Sequence, residues 1–140
     1  SMINEHNINI IANYIVGFPE DDYSTMTSTL NLALELNAEM MNVYPCQALP
    51  GSPLYLKAQN EGWEIPKEYE EFAFLSYECK PLPTKTLSSA EVLRFRDYFW
   101  QTYFSNPAYL DKVESSFGID QRENVEGMAK HKLKRKILEL

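Results

Sequence analysis

Glycine and cysteine are scarce in this chain of 140 residues, numbering five and two, and histidine also occurs only twice. Two cysteines, Cys46 and Cys79, are too few for a disulfide framework, which favours a reducing compartment and a cytoplasmic location. His6 and His131 have no partner at metal-ligand spacing and read as surface residues, so no metal site is expected. No apolar run approaches the ~20 residues that cross a bilayer, and no signal-peptide pattern opens the chain. A membrane span is therefore not expected. Basic residues are outnumbered 13 to 20, and the formal net charge of −7 argues against general nucleic-acid affinity. The deficit is uneven, because Lys130, Lys132, Lys134, Arg135 and Lys136 crowd the C-terminal end.

What the chain has in quantity is apolar and aromatic side chains, 44% and 13%, enough at this length for one domain with a real core. The stretch around which the rest is organised is Ala12-Asn-Tyr-Ile-Val-Gly-Phe-Pro-Glu-Asp21. Ile8 to Val16 is a β-branched run almost free of charge, which predicts a strand buried on both faces, as in a parallel sheet. Gly17 permits a bend or a close approach by a ligand, Pro19 biases Phe18 towards an extended backbone, and Glu20, Asp21 and Asp22 bring carboxylates to a helix start. In parallel α/β folds ligands bind at the carboxyl ends of strands, so this turn is the first place to look for a site.

Further along, apolar spacing at Met26, Leu30, Ala33 and Leu34 predicts a helix over 22–37, with Asp21 or Asp22 as N-cap and Asn37 as stop. Residues 40–46 form a second strand ended by Pro45. Strand, helix, strand at this spacing is a βαβ unit with parallel strands, which sets Gly17 to Glu20 beside Tyr44 to Gln47. Ser52 and Pro53 open a helix that stops near Gly62. A short helix is expected over 67–74, followed by an extended Cys79-Lys-Pro-Leu-Pro-Thr84. The capping box Ser88-x-x-Glu91 opens a helix to about Phe104, with Leu93, Trp100 and Tyr103 inward. Asn106-Pro107 caps the next, which ends at Gly118, and Asp120-x-x-Glu123 opens a last one whose Val125, Met128 and Leu133 stripe leads into the basic tail. The opening Ser1-Met2 reads as a cloning remnant and residues 3–6 as the end of a helix begun upstream. An excised piece of a longer protein is thus expected. Two strands with unpaired edges fit a piece of a larger sheet.

The wording Asn13-Tyr-Ile15-Val-Gly17-Phe-Pro-Glu20 resembles the G-x-I-x-G-x-x-E motif on the fifth strand of radical S-adenosylmethionine (radical SAM) enzymes, matching three of its four marked positions, with Asn13 in place of the first Gly. The following Thr-rich helix, Leu49-Pro-Gly-Ser-Pro-Leu-Tyr55, and the segment from Cys79 to Phe104 are similar to the subgroup that often carries an N-terminal cobalamin-binding domain. The resemblance covers roughly residues 3–118. It implies an α/β fold: the last two parallel strands of a partial TIM barrel over residues 1–62, then a C-terminal helical extension over 63–140. It implies a parent enzyme that uses S-adenosylmethionine and a [4Fe–4S] cluster, with cobalamin in that subgroup, for methyl transfer or other radical chemistry. The C-x-x-x-C-x-x-C cluster motif is missing, since Cys46 and Cys79 lie 33 residues apart, so the chain alone is expected to hold no cluster and to be inactive.

By the resemblance, Ile15 packs on adenine, Gly17 passes close to the nucleoside, Glu20 shapes the loop, and Tyr44, Pro45 and Cys46 supply the other cofactor contact. Gln47 is the candidate for polar contact with a small-molecule substrate. Each has a plainer reading as well. Ile15 and Gly17 suit a core strand and its end, Glu20 complements a helix dipole, and Cys46 suits buried packing. The aromatics between residues 95 and 109 read as core rather than a stacking platform. The basic tail reads as a solvated helix end, a docking face or a weak phosphate contact. Expected partners are the rest of the parent polypeptide and, through the open strand edges, a second copy of the chain. The rival of another class is a non-catalytic helical module that binds a protein partner.

Overall fold

The computed structural model describes residues 2–139. Helix α1 (Met2–Glu5) leads into strand β1 (Ile11–Val16), helix α2 (Tyr23–Leu36) and strand β2 (Met40–Pro45). Then come α3 (Pro53–Asn60), a 3-10 turn (Tyr69–Phe72), the long α4 (Ser89–Phe104), α5 (Pro107–Phe117), α6 (Ile119–Ala129) and a second 3-10 turn (Lys136–Leu138).

Local chemistry fixes the boundaries. Asp22 caps α2 through the Thr25 backbone N–H at 2.9 Å, and the Thr25 hydroxyl accepts from the Asp22 N–H in return. Asn37 ends the helix in the left-handed region at φ 45°. Ser52 and Pro53 open α3, Ser88 and Glu91 form the reciprocal cap of α4, and Asn106-Pro107 starts α5. Helix α6 begins at Ile119 directly after Gly118, without a side-chain cap, one residue before the expected Asp120. The 67–74 segment shortens to the 3-10 turn.

The two strands pair in parallel, Ile11 with Met40 through Val16 with Pro45. Helices α2 and α4 cover one face, and the main core joins Val16, Met26, Leu30 and Val43 to Val92, Phe99 and Tyr103. That core draws on both sides of residue 62, so the βαβ unit and the later helices fold on one another. Burial of strand β1 on both faces is not observed. Ile11 is 61% exposed, Ile15 46% and Met40 55%, so the opposite face of the sheet is open. The run is rich in β-branched residues, yet Ile11 and Ile15 on its other face stay exposed.

The two sheet edges differ. On β2, the Arg96 Nε donates to the Val43 carbonyl at 2.9 Å. On its approach, the Tyr103 and Tyr109 hydroxyls donate to the Ala38 and Glu39 carbonyls at 2.7 and 2.9 Å. Helices α4 and α5 thus close this side with side-chain donors. Strand β1 has β2 as its one partner among the described residues.

The tail departs most from expectation. Arg135 is 1% exposed, where a solvated cation was the plain reading. Its Nε and Nη2 donate to both oxygens of Asp97 at 2.9 and 2.8 Å, and Nη1 donates to the Ser76 carbonyl at 2.7 Å. The Lys136 N–H donates to the Tyr77 carbonyl, so the strap from Lys130 to Leu138 is tied back across α4. Helix α6 stops at Ala129, which leaves Leu133 outside the helical stripe, and Met128 is partly exposed.

Candidate functional site

The tips of the strands meet. The Cys46 N–H donates to the Val16 carbonyl at 2.8 Å, continuing the parallel ladder past Pro45, and the Cys46 carbonyl accepts from the Leu82 N–H. At the first tip Gly17 sits at φ 85°, and a Cβ there would lie 2.3 Å from the Val92 Cγ1. Glycine is therefore required both by backbone conformation and by the closeness of α4. The turn it starts is wrapped around one carboxylate. Asp21 Oδ2 accepts the N–H groups of Gly17 and Phe18 at 3.0 and 2.9 Å, while Oδ1 accepts the Thr25 hydroxyl at 2.8 Å.

Asp21, rather than Glu20, is thus the side chain that shapes the loop. Glu20 points outward to Lys85 at 2.7 Å, an exposed pair contributing little. The Lys85 N–H also donates to the Pro19 carbonyl, so the segment before α4 lies against the turn.

The candidate side chains divide between the two sides of the sheet. Ile15 and Tyr44 are cross-strand neighbours on the open face, and the Tyr44 ring packs edge-on against Phe74 with centroids 4.8 Å apart. One register step back, the Asn42 Nδ2 donates to the Asn13 Oδ1 at 3.0 Å. Matching asparagines at equivalent positions of two strands were the sequence signal for this amide pair. Pro45 is buried on the covered side, Cys46 is buried in a second apolar cluster with Ala48, Ala58 and Leu82, and both backbone polar groups of Cys46 are occupied. Burial, with the nearby Asp21 charge, pushes the Cys46 thiol up to about 11, the mark of an inert packing cysteine. Gln47 turns inward, its amide donating to the Cys79 Sγ at 3.6 Å and its carbonyl oxygen buried without a partner among the described residues.

Ile15 presents an exposed apolar side chain and Tyr44 an aromatic ring, whereas the Cys46 backbone and the Gly17 N–H are already hydrogen-bonded. Among the described residues no group of three or more His, Cys, Asp or Glu side chains is placed to hold a metal ion. Nor is any described helix long and apolar enough to cross a membrane. Comparisons of the chain with protein-family models, curated proteins and solved structures give no match.

Proposed function

We propose that the chain is the C-terminal part of a radical SAM enzyme of the cobalamin-linked subgroup, and that its two strand tips form one wall of the cofactor's nucleoside pocket. The observation that carries this reading is the meeting of Val16-Gly17 with Cys46 at the carboxyl ends of parallel strands. That is the end of the sheet at which α/β folds bind ligands. Two further features support it: the face bearing Ile11, Ile15 and Met40 is open, and the outer edge of β2 meets the Arg96 side chain while β1 has β2 as its one strand partner among the described residues. A sheet that ends at β2 and continues beyond β1 has this asymmetry.

In that setting S-adenosylmethionine and a [4Fe–4S] cluster held by the rest of the parent, given an external electron donor, would supply the radical chemistry. This chain's residues position and exclude. Ile15 and Tyr44 flank the base, Asp21 holds the Gly17 turn at fixed curvature, and α4 behind Gly17 prevents its retreat. No side chain here is asked to move a proton. The gene's reading frame upstream of residue 1 tests the assignment: a C-x-x-x-C-x-x-C motif followed by further βα units is expected. A frame with neither would leave the helical interaction module as the better reading.

A further inference from the structure

A groove of about 450 Å³ runs between α4 and the C-terminal strap, on the side of α4 away from the strand tips. Its size is that of a small-molecule site. Leu75, Tyr98 and Leu133 on its walls are large apolar side chains left exposed, and Trp100 is half-buried against it. Arg94, His131 and Lys132 also line it. The groove thus sets exposed apolar surface beside Arg94 and Lys132 on a chain of net charge −7.

The groove also reaches a buried charge imbalance. Arg96 and Arg135 are both nearly fully buried, at 3% and 1% exposed, and share the carboxylate of Asp97. Asp97, the sole acid of the lining, is already occupied: Oδ1 accepts from Arg135 and Arg96, and Oδ2 from Arg135. Arg96 uses Nε on Val43 and Nη1 on Asp97, which leaves Nη2 without a partner among the described residues. Phe74 stacks on this guanidinium at 5.2 Å but supplies no anion. Two buried cations against one anion leave a positive centre that a further carboxylate would neutralise. The occupant must be narrow enough to bring that carboxylate down to Arg96 and apolar enough to cover Leu75, Tyr98 and Leu133.

We propose that this groove binds an amphipathic monoanion, a carboxylate on an aliphatic chain, with its head between Arg96 and the Arg94–Lys132 rim and its chain along the apolar walls. The site lies outside the strand-tip region and does not depend on the radical SAM reading.

The test is an NMR titration of the labelled 140-residue chain with octanoate, with 1-octanol as the neutral analogue and an oligoglutamate peptide as the acid without an aliphatic chain. Octanoate should bind saturably, shift amides over 94–101 and 128–138, and bind at least about tenfold more tightly than 1-octanol. The exposed double variant Arg94→Glu/Lys132→Glu should weaken octanoate about tenfold while leaving 1-octanol unchanged. Leu133→Asp, also at an exposed position, should weaken both, and circular dichroism checks that each variant is folded. Equal affinity for octanoate and 1-octanol, absence of saturable octanoate binding, or binding of the peptide alone would each overturn the proposal.

Discussion

Arg96 on α4 donates its Nε to the carbonyl of Val43 on β2 at 2.9 Å, so a buried guanidinium stands where a third strand would otherwise hydrogen-bond. It is held there by Asp97, and Asp97 is held by Arg135 from a strap 38 residues further on. The sheet edge, the long helix and the tail are therefore one electrostatic unit.

Removing Asp97 should harm the fold more than removing Arg96. Asp97→Asn leaves two buried guanidiniums without a counter-charge, a loss of about 3–5 kcal/mol. Arg96→Met leaves the Asp97–Arg135 pair intact and costs chiefly the Val43 hydrogen bond, about 1–3 kcal/mol. Urea denaturation of the two variants decides the order, and a reversed order would contradict the shared-carboxylate account.

Gly17→Ala combines a positive φ with a Cβ placed against Val92, and should cost about 1–3 kcal/mol or more. The double variant Gly17→Ala/Val92→Ala should recover the steric part and not the conformational part. Full recovery would mean that backbone strain at φ 85° is unimportant.

Both thiols are pushed up to about 11, from an ordinary value of 9.0, chiefly by burial. The folded chain therefore keeps thiol protons that the unfolded chain releases above about pH 9. Stability should fall as pH rises from 9 to 11, with burial of the Tyr103 and Tyr109 hydroxyls acting in the same direction. Alkylation by iodoacetamide at pH 8 should follow global unfolding for both cysteines. Rapid alkylation of Cys46 in the native state would contradict its packing role.

The open face should make the isolated chain self-associate, through Ile11, Ile15 and Met40 and the free edge of β1. Ile11→Lys should reduce association in light scattering without lowering thermal stability. A parent chain that is monomeric through a covered face agrees with this; an isolated chain that is monomeric at high concentration does not.

The caps at Asp22, Ser52, Ser88 and Asn106 were legible because each rests on residues a few positions apart, and so was the parallel βαβ unit. Three things were not. The apolar run of β1 cannot say which of its faces this chain covers, because Ile15 suits a core contact in either a fragment or a whole barrel. Glu20, Asp21 and Asp22 share one chemistry, and only the geometry of the Gly17 turn selects Asp21 as the carboxylate that folds back. Arg135 sits in a basic run that reads as a solvated helix end, and the Asp97 carboxylate that joins it to Arg96 is 38 residues away. For the site, the strand register makes Ile15 and Tyr44 neighbours on one face, whereas Cys46 is buried beside Ala48, Ala58 and Leu82 and Gln47 turns towards Cys79.

The central claim is that these strand tips belong to a nucleoside pocket. The most direct measurement is anaerobic reconstitution of the full-length protein with iron and sulfide, followed by assay of S-adenosylmethionine cleavage under a strong reductant. The account predicts a cluster absorbance, formation of 5′-deoxyadenosine, and loss of that product in an Ile15→Asp variant that still carries the cluster. A full-length protein with neither the absorbance nor the product would contradict it.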